Sequence, residues 1–332
     1  QNAMIGLKNV YIDNKDVDGY FSYMNNKGVL TSSDLIEQDS LSYLTAERTY
    51  MSGDYARASQ SLKSYIEKHP DGRFLLNAHF YKGDCNYRAN EYAEALTSFD
   101  YVISKPRSRF TEPALLGASR IKFRLKDYAA ATGYYQKLEE VAEVKSNLLE
   151  ARMGLLKCYS MLEDHGRVIE LADKILLTER LSQEQERETR FVKAKSLLAN
   201  DRQMLALEEF KKVAVEVKSA EGAESKFRIA EIYYKRKELD NAEKVIADFA
   251  DKTTQHQFWM AKSFLLWADI FRDKGDVFQA TQTLQSLIDY YEKNDDGILD
   301  EARAKKKALT EKQTETKKAG VEETEEEIEI RE

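Results

Sequence analysis

The 332 residues include only three prolines, two cysteines and four histidines, and no apolar run is long enough to cross a bilayer. Each scarcity removes a class of protein. With so few helix-breaking residues, and with Leu, Ala, Glu and Lys dominating, the chain reads as nearly all α. Cys85 and Cys158, more than seventy residues apart, cannot build a disulfide framework and read as small buried hydrophobes. His69, His79, His165 and His256 show no metal-ligand spacing with one another, with cysteine or with carboxylates. No glycine-rich phosphate loop, Gly-x-Ser-x-Gly elbow or His-Glu-x-x-His segment occurs, so neither an enzyme nor a bound cofactor or metal is expected. A net charge of −7 argues against a nucleic-acid partner, because phosphate binding wants a basic surface.

What is present is a recurring phrase: Gly53-Asp54-Tyr55 with Ala58 and Leu62, then Asn90-Glu91-Tyr92 with Ala95 and Phe99, then Lys126-Asp127-Tyr128 with Ala131 and Tyr135. Weaker copies start at Glu163, Lys237 and Gly275. The spacing of 36 to 38 residues marks a helical repeat array. Placing the acidic residue at one fixed position divides the chain into eight units, beginning near residues 1, 39, 76, 112, 149, 187, 223 and 261. Each unit predicts two amphipathic helices: apolar residues recur at three and four spacing, stop at a polar turn and resume. A small residue at the eighth position (Ala46, Gly83, Ser119, Ala194, Ala230, Ala268) and alanine at the twentieth let the two helices approach closely. The large residue four further on fills the groove so formed. The copy at Asn200-Asp201-Arg202-Gln203 reads as having an extra turn residue and no aromatic.

With the small residue at eight, the turn phrase, alanine at twenty, an aromatic at twenty-four and a proline near a unit's end (Pro70, Pro106), these units resemble tetratricopeptide repeats. The resemblance implies a right-handed α-solenoid of antiparallel helix pairs, with the first helices lining the concave side. It gives a degenerate first repeat over 1–38, an array over 39–294, a capping helix over 295–310 and a charged tail over 311–332, whose composition predicts disorder. Units longer than that family's usual length predict lengthened helices or turns.

The opening Gln1-Asn2-Ala3-Met4-Ile5 runs straight into helical periodicity with no secretory leader. With Met4 not the first residue it reads as either tagged or cut from a longer protein, and the repeat-like Ala3, Gly6, Leu7 and Val10 favour the second. Both a cytoplasmic and a periplasmic location stay open.

Function then rests on the variable positions of the first helices. The fifth and twelfth positions, expected to face the groove, read Tyr43/Tyr50, Phe80/Tyr87, Leu116/Phe123, Met153/Ser160, Phe191/Leu198, Phe227/Tyr234 and Leu265/Arg272. Such an aromatic ladder suits a bound peptide, because rigid rings give contact area at low entropic cost. The ninth position is acidic at both ends of the array and basic in the middle, as Arg120, Lys157 and Lys195. With Arg88 and Arg124 at thirteenth positions, a basic band is expected mid-groove, suited to an acidic protein segment. The ninth positions carry no asparagine and the fifth are apolar, so the terminal-carboxylate clamp of the family's chaperone-binding members is not supported. The expected function is a scaffold that binds a protein or peptide segment. The alternative is an assembly segment of a larger cell-envelope protein, stacking on itself or on flanking repeats.

Overall fold

The computed structural model describes residues 2–14, 16–178, 180–252 and 254–311. Among them every regular element is a helix, and the chain divides into two compact units, Gln1–Glu163 and Asp164–Glu332. The first holds α1 (Asn2–Asp13), α2 (Val17–Asn26), α3 (Ser32–Met51), α4 (Tyr55–Lys68), α5 (Leu75–Arg88), α6 (Tyr92–Ile103), α7 (Thr111–Arg124), α8 (Tyr128–Val141) and α9 (Lys145–Met161). The second holds α10 (His165–Leu176), α11 (Gln183–Ala199), α12 (Gln203–Val213), α13 (Ala220–Lys235), α14 (Leu239–Ala250), α15 (Gln257–Asp273), α16 (Val277–Tyr290) and a final helix, α17, over 298–311. Each unit is a stack of helices built mainly from helix pairs, an all-α solenoid.

The recurring phrase is the turn between the two helices of a pair. Its first residue holds a left-handed backbone in every copy: Gly53 (φ 84°), Asn90 (61°), Lys126 (61°), Glu163 (57°), Asp201 (56°), Lys237 (64°) and Gly275 (86°). That is the conformation which ends a helix and reverses the chain. The residue after it caps the next helix. Asp54, Asp127, Asp164 and Asp276 each accept a hydrogen bond from the backbone N–H three residues on. Arg202 occupies the same cap position without a side-chain bond, directly after Asp201. This corrects the sequence reading: the turn at Asn200 has no extra residue. The turn fixes its length by backbone geometry, so only the side chains differ there. Longer repeats come instead from helices such as α3, of 20 residues, and from the connections between pairs.

The small and large positions fill the core as their sizes dictate. Ala58, Ala95, Ala131, Val168, Ala206, Ala242 and Ala280 are fully buried, and so are Leu62, Phe210 and Leu284 four residues after their own alanine. Each such large side chain contributes roughly 1.5–3 kcal/mol of burial free energy. The phrase's tyrosine covers the preceding helix: Tyr55 meets Tyr50 at 5.5 Å between ring centroids, Tyr92 meets Tyr87 at 6.4 Å, and Tyr128 meets Phe123 at 5.3 Å.

At the end of the second unit, α17 lays Ile298, Ala302 and Leu309 on α15 and α16, while Asp300, Glu301, Arg303 and Lys307 stay exposed. The expected charged tail lies outside the described residues from 312 onward. Among the described residues no helix is long and apolar enough to cross a membrane.

Candidate functional site

Within each unit the first helices touch one another: α3 with α5, α5 with α7 and α7 with α9, then α11 with α13 and α13 with α15. Successive second helices do not approach as closely among the described residues. The closer row is the inner one, so the first helices form the concave face of each unit.

Most aromatic side chains expected there are engaged inside the array. Tyr43 is 2% exposed and stacks on Phe74, with centroids 4.5 Å apart. Phe80 stacks on Phe110 at 4.7 Å, and Phe227, 8% exposed, meets Trp259 at 5.6 Å. In all three, the partner ring stands two residues ahead of the next repeat's start. That spacing is in the sequence and would have revealed the pairing. Phe191 contacts Phe210 of its own pair at 6.2 Å. The twelfth-position rings Tyr50, Tyr87 and Phe123 pack on the turn tyrosines, as described above.

Their hydroxyls continue the pattern. Tyr50 donates to Asp84 Oδ2 at 2.8 Å, an oxygen that also accepts from Arg88 Nε at 2.6 Å. Desolvation, then the Asp84 carboxylate, raises the Tyr50 phenol above its usual range. Tyr234 donates to Asp273 at 2.9 Å and accepts from Arg272 at 3.1 Å.

The cations also have neighbours. Arg120 on α7 reaches Glu150 on α9 through Nε at 2.7 Å and Nη2 at 2.6 Å, yet its side chain remains 44% exposed. Arg124 donates to Tyr92 Oη at 2.5 Å, and this bond raises its pKa. Lys157 lies half-buried on α9, the next inner helix, and is engaged as well. In the second unit, Lys195 stands 3.8 Å from Glu224 and 5.3 Å from the centre of the Phe191 ring. The first unit therefore brings Arg120, Arg124 and Lys157 onto adjacent inner helices, each already in contact with neighbouring groups. Glu150 and Glu224 were not singled out from sequence, because neither stands at a groove position that varies in sign.

Nothing in this row resembles a catalytic arrangement. Cys85 and Cys158 are free and buried, and burial pushes their thiols up to about 12 and about 11, away from nucleophilic thiolate. No group of His, Cys, Asp and Glu able to hold a metal occurs among the described residues.

Two family models, each described as a tetratricopeptide repeat, match residues 46–109 and 258–294. The chain is a tetratricopeptide-repeat protein. As such it is a protein-interaction scaffold in general kind, in a family whose members are typically not enzymes. Among solved structures it is similar to the C-terminal part of a tetratricopeptide-repeat protein from Cytophaga hutchinsonii. That match has 12% identity, a TM-score of 0.53, and covers 77% of this chain and 97% of the other. A tetratricopeptide-repeat protein from Parabacteroides merdae matches at 16% identity with a TM-score of 0.44, covering 80% and 98%. No curated protein matches the chain.

Proposed function

We propose that this tetratricopeptide-repeat protein holds an extended, acidic segment of another protein against the inner helices α5, α7 and α9. The observation that carries the reading is Arg120. It is anchored at the groove by Glu150 but 44% exposed, with a fork of donors that one carboxylate oxygen does not saturate. Arg124 and Lys157 extend the positive charge along the same face. The aromatic positions Tyr50, Phe80, Tyr87, Phe123, Phe191 and Tyr234 supply ring edges and hydroxyls; Tyr43 and Phe227 serve by stacking, since so little of them is exposed. Lys195 gives the second unit a similar cation.

Titration of acidic, neutral and basic peptides against the purified chain tests this. Acidic peptides should bind best, weaken as salt rises, and lose at least about tenfold in affinity to Arg120→Glu with Lys157→Glu, a loss of about 1.4 kcal/mol. Unchanged affinity for every acidic peptide in the double variant would remove the proposal.

A self-stacking role has one observation in its favour. Ile5 and Val10 on α1 and Leu35 and Ile36 on α3 are each more than half exposed, whereas the outward face of α17 is polar. Repeat arrays need polar caps to stay dissolved, and these apolar side chains do not provide one. Light scattering on Leu35→Glu with Ile36→Glu checks it: a wild-type oligomer that becomes monomeric supports self-assembly, and a wild-type monomer discards it.

A further inference from the structure

The first unit holds a polar cavity of about 260 Å³ bounded by the start of α2 and by α3 and α4. Its wall is made of groups that both donate and accept hydrogen bonds, notably Ser42, Gln60, Ser61 and Ser64. Two atoms in this wall, Ser42 Oγ and His69 Nε2, are buried with no hydrogen-bond partner. Buried polar groups in native proteins are nearly always satisfied, so two unpaired atoms among the residues of one cavity mark this corner of the repeat as incompletely packed. At about 30 Å³ per water the volume is far larger than one bridging water needs.

The next repeat shows what the cavity replaces. Ser42 and Ser64 stand at the fourth and twenty-sixth positions of their unit, which His79 and Tyr101 fill in the following one. There the two rings stack at 3.7 Å between centroids. Where the next repeat inserts two flat rings, this one has two hydroxymethyl side chains and open space.

We propose that this cavity binds a neutral, polyhydroxylated small molecule of about monosaccharide size. A ring-shaped ligand with hydroxyls around its edge suits a slot left by two rings, and hydroxyl, amide and imidazole groups match it by giving and taking hydrogen bonds. The charges at the rim, Asp16 and Lys68, are opposite in sign, which disfavours a phosphate or a cation. Among the residues of the wall only Val17, Ala46 and Tyr65 are apolar or aromatic, and the hydroxyl and amide side chains outnumber them.

The test is ligand-observed NMR on the full chain with a panel of free monosaccharides and polyols, with inorganic phosphate and free amino acids as comparison probes. At least one neutral sugar or polyol should show saturation transfer at millimolar concentration. Its affinity should drop at least about tenfold in Ser42→His with Ser64→Tyr, a pair the fold already accommodates one repeat on. Gln60→Ala, which removes a polar contact without filling the space, should weaken binding to a smaller degree. No signal from any sugar or polyol, a signal that survives the filled variant, or a response confined to phosphate or amino acids would each overturn the proposal.

Discussion

Phe99 on α6 and Gly117 on α7 are matched in size across two repeats: a Cβ on Gly117 would lie 2.6 Å from the Phe99 ring. The other side of the same ring faces Gly83, where an added Cβ would be 2.8 Å away. One repeat later Tyr135 lies against Gly154 in the same way. Where the groove residue is the smaller Leu62, the corresponding position of the next repeat is Tyr81 rather than glycine, and both belong to one core cluster.

Gly117→Ala should therefore destabilise the protein by about 1–3 kcal/mol through overpacking. Denaturant unfolding followed by circular dichroism measures it. Combining the change with Phe99→Leu should recover part of the loss, since the smaller side chain makes room. If the two losses simply add, the residues are not packed as described.

The turn position offers the opposite sign. Lys126 adopts φ 61°, a conformation that costs an ordinary residue about 1–2 kcal/mol, and the fold already accepts glycine at this turn position as Gly53 and Gly275. Lys126→Gly relieves that strain and gives back some chain entropy, for a net gain of about 0.5–1 kcal/mol. Lys126→Val should lose stability, because a β-branched side chain is worst placed there. A higher melting temperature for glycine than for wild type checks the sign.

Tyr65 ties two repeats through its hydroxyl. It donates to Asp39 Oδ1 at 2.6 Å and accepts from the Phe74 backbone N–H at 3.1 Å, while Asp39 Oδ2 accepts from the Arg73 N–H at 3.2 Å. This explains how Phe74, which has no capping oxygen of its own, can begin α5. Tyr65→Phe keeps the ring but leaves an N–H and a buried carboxylate short of a partner, so a loss of about 1–3 kcal/mol is expected. Hydrogen exchange should report it first at the start of α5.

His79 gives a pH signature. Burial, followed by the charges of Lys82 and Lys105, pushes its pKa down from 6.5 to about 4. The unfolded chain then binds more protons than the folded one between those values, so His79's contribution to stability is full above pH 6.5 and is lost as pH falls toward 4. His79→Phe, which keeps a ring against Tyr101, should flatten the stability profile across that window. A profile unchanged between pH 6.5 and 4 would show that His79 is not held neutral.

Much of the fold was legible because its determinants are local. A left-handed residue, a cap one place later and alanine four beyond the cap act over a single turn, and their identities alone predict the helix pair. Even so, Asp201 and Arg202 were read as carrying an extra residue, because side chains at that turn vary while its backbone does not. The candidate site was less legible. The expected ladder of Tyr43, Phe80 and Phe227 proved to stack on Phe74, Phe110 and Trp259, and Arg120 proved to be held by Glu150, some thirty residues away in sequence.

By itself, then, the sequence determined the period, the turn and the small-to-large packing, since each depends on residues within a few positions of one another. Only the tertiary structure decided which rings are consumed by stacking, how much of Arg120 faces solvent, and that Ser42 and Ser64 border open space where the next repeat has two rings. Those outcomes depend on side chains from separate helices meeting at particular distances and angles. A linear pattern specifies which helices are neighbours without specifying how their side chains share the space between them.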